Sequence, residues 1–91
     1  METAKDTTGM RGKIVTAISL TSTQANERKI MQVISNVRAR HGTDTIVEFY
    51  LDGRFLLRTE VGKVTQELIN KIIHKLRSTP FERTLMILFL K

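Results

Sequence analysis

The stretch Thr45-Ile-Val-Glu-Phe-Tyr-Leu-Asp-Gly-Arg-Phe-Leu-Leu-Arg-Thr59 constrains the fold of this chain more than any other. Two β-branched and aromatic runs flank Asp52-Gly53, and an Asp-Gly pair in that setting is a strong short-range signal for a β-hairpin. Side-chain parity then bears on the loop length, because successive residues of a strand face opposite ways. A two-residue turn at Asp52-Gly53 sets Phe49 against Leu56 and Val47 against Arg58, mixing charge into the apolar face. A three-residue loop, Leu51-Asp52-Gly53, sets Phe49 against Phe55 and Val47 against Leu57. That register separates Val47, Phe49, Phe55 and Leu57 from Ile46, Glu48, Tyr50, Arg54, Leu56 and Arg58. It also puts Gly53 where a type I turn with a bulge needs a left-handed residue. The three-residue loop is the expectation, with Phe55 turned inward. One long strand over residues 45–59 is the alternative, and the Asp-Gly punctuation argues against it.

The flanking segments alternate between strand and helix patterns. Residues 1–12 (METAKDTTGMRG) are short of large apolar side chains and read as a disordered leader, leaving 13–91 as a single domain. Lys13 to Leu20 is β-branched and alternating, with Ile14, Ile18 and Leu20 on one face and Val15, Ala17 and Ser19 on the other. Thr21-Ser-Thr-Gln24 has the form of a capping box. Beyond it Ile30, Val33, Ile34 and Val37 recur at helical spacing up to Gly42, a natural helix stop. After the hairpin a second helix is predicted from Val64 or Thr65 to Ser78, with Leu68, Ile69, Ile72, Ile73 and Leu76 in a wide apolar stripe. Thr79-Pro80 ends it. The closing run Leu85-Met-Ile-Leu-Phe-Leu90 is too short for a helix and suits a strand.

The order strand-helix-strand-strand-helix-strand predicts an α+β fold. The expected architecture is a ferredoxin-like two-layer sandwich, with an antiparallel four-stranded sheet and two helices on one face. Right-handed crossovers predict the strand order four, one, three, two, with the last strand at an edge.

Charge and composition narrow the function. Fifteen Lys and Arg oppose nine Asp and Glu, a net of +6. Glu2, Asp6, Lys5 and Arg11 cancel, so the excess belongs to residues 13–91. A basic folded domain is a footprint for nucleic acid or another polyanion. The candidate phosphate contacts are Arg28, Lys29, Arg38 and Arg40 on the first helix, Lys71, Lys75 and Arg77 on the second, and Arg54 and Arg58 on the hairpin. The layout is similar to that of RNA-recognition modules, which stack bases on aromatic side chains of the central strands. Their RNP signature is absent here and Tyr50 is the sole aromatic expected on the outer sheet face, so recognition by charge is the expectation.

Catalytic and metal signatures are missing. The chain has no cysteine, its histidines are His41 and His74, its acids lie beside basic neighbours, and its glycines form no phosphate-binding loop. The expectation is a non-enzymatic protein without a cofactor or metal. No apolar run approaches the length of a membrane span, so a soluble intracellular protein is expected, with no membrane partner. The final strand raises a second expectation. Apolar at every position, it should leave Met86, Leu88 and Leu90 outside, beside Val15, Ala17 and Leu56. Such a patch calls for a cover, most economically a second copy of the chain, and makes a protein-interaction or assembly module the alternative reading. In that reading the charge serves an acidic protein partner.

Overall fold

The structure is a computed structural model and describes residues 13–91; the leader expected over 1–12 lies outside the described residues. Its elements are β1 (Ile14–Thr21), α1 (Glu27–His41), β2 (Ile46–Leu51), β3 (Arg54–Glu60), a 3-10 turn (Val61–Lys63), α2 (Gln66–Leu76) and β4 (Thr84–Leu90). The strands form one antiparallel sheet, and the helices pack on each other and on one of its faces. This is the expected two-layer α+β sandwich, 38 × 30 × 17 Å along its principal axes.

Local signals account for the element ends. The Thr21–Gln24 reciprocity forms, but as a turn: the Thr21 N–H donates to the Gln24 side-chain oxygen at 3.3 Å while Gln24 N–H returns to the Thr21 carbonyl at 2.9 Å. α1 starts later than the capping box predicts, because the Asn26 side chain accepts from Lys29 N–H at 2.8 Å and is the true cap. Gly42, at φ +97°, stops the helix as expected. Thr65 caps α2 through Leu68 N–H at 3.2 Å.

The strand order is β1-β4-β2-β3, not the order expected. β4 lies inside the sheet, between β1 and β2, and the edges are β1 and β3. In both orders every neighbour is antiparallel and each strand-helix-strand unit skips one strand, so topology rules do not separate them. Composition does. Leu85, Ile87 and Phe89 of β4 are fully buried, and a strand apolar on both faces gains most from neighbours on both sides. β1, with Thr16, Ala17 and Ser19, tolerates the edge. The helix-facing core joins these β4 residues to Val47, Phe49 and Leu51 of β2, Ile30, Ile34 and Val37 of α1, and Ile69, Ile72, Ile73 and Leu76 of α2.

The hairpin also departs from expectation. Leu51 pairs with Arg54, so the loop is the two-residue turn Asp52-Gly53, with φ +52° and +81°. Positive φ at both positions is the geometry of a type I′ turn, whose twist matches that of the flanking strands. The parity problem is absorbed further along. Tyr50 pairs with Phe55 and Phe49 with Leu57, leaving Leu56 as the extra residue of a bulge. Phe55 therefore faces outward, against the expectation. A second irregularity leaves Val15 unpaired between Ile14 and Thr16 of β1. The turn is tied to β4: Asp52 N–H donates to the Thr84 carbonyl at 2.9 Å, Thr84 N–H to the Asp52 carboxylate at 3.0 Å, and Arg83 Nε to that carboxylate at 2.9 Å.

Candidate interaction surfaces

With both helices on one side, no described element covers the other side of the sheet. Register and burial assign its residues. The buried alternates of β2 and β4 face the helices, so Ile46, Glu48 and Tyr50 of β2 and Met86, Leu88 and Leu90 of β4 face outward. Across the ladders these meet Ile14, Ala17 and Ser19 of β1, and Phe55, Arg58 and Glu60 of β3. The outcome is an apolar face running from Ile14, 59% exposed, through Leu90, Leu88 and Met86 to Tyr50 and Phe55, 57% exposed.

Of the expected interface residues, Ala17, Met86, Leu88 and Leu90 lie on this face. Val15 and Leu56 do not, for the same reason: each is the extra residue of a β-irregularity and packs against the helix-side core. Ile14 and Phe55 belong to the face and were not expected there, while Ile46 is outside as the hairpin pattern predicts. Tyr50 was expected outside, and there its ring meets Phe55 edge to face, with centroids 5.8 Å apart and planes at 78°.

A hydrogen-bonded polar cluster interrupts the face. The Tyr50 hydroxyl donates to the Glu48 carboxylate at 2.9 Å, and Arg58 Nε stands 3.7 Å from the same carboxylate, directly across the ladder. Burial, and then the bond to Glu48, push the Tyr50 phenol above its ordinary pKa. Glu48 is thus supplied with both a donor and a cation by its own chain.

The cations expected to meet phosphates are spread over the molecule. Arg28, Lys29, Arg38, Arg40, Arg54, Lys71 and Lys75 are exposed. Arg28 and Lys29 stand in the first turn of α1, and Arg38 and Arg40 in its last. Arg58 belongs to the Glu48 pair, and Arg77 spans to the loop before α1, its guanidinium donating to the Ser22 carbonyl at 3.2 Å and to that of Ala25. Among the described residues the other ion pairs are Lys63–Glu60, Arg83–Asp52 and Lys91–Asp44. Lys91 also donates to the His41 carbonyl at the end of α1, where a cation suits the helix dipole.

A third feature has no counterpart in the sequence reading. Between β3 and α2 lies a groove of about 620 Å³. Leu56, Leu57, Leu68 and Ile72 supply its apolar lining, and Lys71, His74 and Lys75 stand with Glu67 along α2. It exists because the bulge turns Leu56 toward the helix layer beside Leu57, at a sheet edge that α2 covers incompletely. Among the described residues, no group of three or more His, Cys, Asp or Glu side chains is placed to hold a metal ion. No helix of the described residues is long and apolar enough to cross a membrane.

Comparison of the chain with protein-family models, with curated proteins and with solved structures returns no match.

Proposed function

We propose that this protein is a non-enzymatic assembly module that pairs with a second copy of itself through the bare face of its sheet. The observation that carries this reading is the apolar face from Ile14 to Phe55, uncovered by any described element. Its size sets the strength of pairing. Four strands at ~4.8 Å spacing and seven residues at ~3.3 Å give a footprint on the order of 440 Å² per chain. Twice that falls below the range of roughly 1,200–2,000 Å² for stable interfaces, so weak, concentration-dependent self-association is expected. Chemistry favours it too: Glu48 is already paired with Arg58 and Glu60, at the margin, with Lys63, so closing the face leaves neither carboxylate without a partner. An intracellular setting goes with this reading.

Light scattering over a micromolar concentration series tests it. The wild-type mass should rise toward that of two chains, and Leu88→Glu, which places a charge at the centre of the face, should hold the mass at one chain.

A second reading rests on the exposed cations of the helix layer. Pairing through the sheets leaves both helix layers outward, each presenting Arg28, Lys29, Arg38, Arg40, Lys71 and Lys75. Contacts of these side chains to nucleic-acid phosphates would release counterions and weaken steeply with salt. Fluorescence anisotropy with short RNA and DNA at low and moderate salt tests this reading, and no binding at low salt removes it.

A further inference from the structure

We infer that the groove between β3 and α2 is a docking site for an acidic protein segment that carries bulky apolar side chains. The inference does not rest on pairing of the sheet faces, which lie on the opposite side of the sheet. Its first support is chemical. Leu56, Leu57, Leu68 and Ile72 offer an apolar floor beside the exposed ammonium groups of Lys71 and Lys75, with Glu67 the one carboxylate in the lining. Lys71 and Lys75 are one helical step of four apart, so their charges stand side by side along the groove.

That combination selects among occupants. A phosphate backbone would satisfy the lysines and gain nothing from the leucines. A second copy of this chain would bring its own net charge of +6 against them. An acidic segment with leucine-like side chains satisfies both, with carboxylates at Lys71 and Lys75 and apolar groups on the floor. Dimensions agree: from Glu67 to Lys75 the groove follows ~12 Å of helix, the reach of about four extended residues. Among the described residues no strand lies on the outer side of β3, so an extended occupant also lies beside a sheet edge, though the bulge at Leu56 keeps any backbone pairing short.

Panning the full chain against phage-displayed random dodecapeptides tests the inference, with the Lys71→Glu, Lys75→Glu variant as counter-target. Enriched peptides should combine Asp or Glu with Leu, Ile or Phe, and shift the amide resonances of Leu56, Leu57, Leu68 and Lys71. They should bind the charge-reversed chain about tenfold or more weakly. Both substitutions are at exposed positions, and an unchanged melting temperature shows that the variant is folded. Leu88→Glu should bind the same peptides as the wild type, whether or not the sheet faces pair. No enrichment, enriched peptides without acidic residues, affinity indifferent to charge reversal, or displacement by polyuridylate would each overturn the assignment.

Discussion

At the scale of single residues, the turn at Asp52-Gly53 carries the sharpest predictions. Gly53 sits at φ +81° with open space where a Cβ would stand, so Gly53→Ala meets a backbone penalty and no collision. The expected loss is about 1 kcal/mol in denaturant unfolding, and Gly53→Asn should recover most of it because Asn tolerates left-handed geometry. Gly62 is the opposite case. A Cβ there would lie 3.0 Å from Thr43 Cβ and 3.2 Å from the Thr43 carbonyl oxygen, and Gly62 N–H already donates to that carbonyl. Gly62→Ala must push backbone apart and should cost roughly 1–3 kcal/mol. Asp52 gives a pH signature. The Thr84 N–H, and then Arg83, hold its carboxyl below the ordinary range. A depressed folded pKa contributes stability that is present above the unfolded value of ~3.9 and is lost as pH falls below it. The stability advantage of wild type over Asp52→Asn, measured by urea unfolding, should therefore be full at pH 6 and shrink as pH falls below about 4.

At the scale of elements, β4 decides the architecture. Inside the sheet its amides pair on both sides, so they should be among the slowest to exchange, while the outer-edge amides of β1 exchange early. Phe89→Ala, at a fully buried site, should cost about 3–5 kcal/mol. The existence and type of every described strand and α-helix were legible in the sequence, because the helical stripes, the Asp-Gly turn and the Gly42 and Pro80 stops are local signals. Strand order was not legible: the all-apolar run Leu85 to Leu90 is compatible with an edge strand under a partner or with a central one, and only packing against β1 and β2 decides it. The two β-irregularities were not legible. Each depends on how a strand settles against a partner distant in sequence, and each moved one expected interface residue, Val15 or Leu56, to the helix side. Reading strict alternation through the hairpin also hid Phe55, which the bulge turns outward to join Tyr50.

At the scale of the whole molecule, the layers divide the work. The helix layer carries Arg28, Lys29, Arg38, Arg40, Lys71 and Lys75 and borders the groove, and the sheet layer presents an apolar face in which Glu48 is satisfied by Tyr50 and Arg58. Whether this face meets its own copy is read by an isotope-filtered NOE experiment on a mixture of labelled and unlabelled chains at high micromolar concentration. Pairing through the sheets should give intermolecular contacts from the methyl groups of Met86, Leu88 and Leu90 to those of Ile14 or Ile46, or to the rings of Tyr50 and Phe55, lost in Leu88→Glu. Intermolecular contacts confined to α1 or α2, or none at any concentration reached, would contradict it.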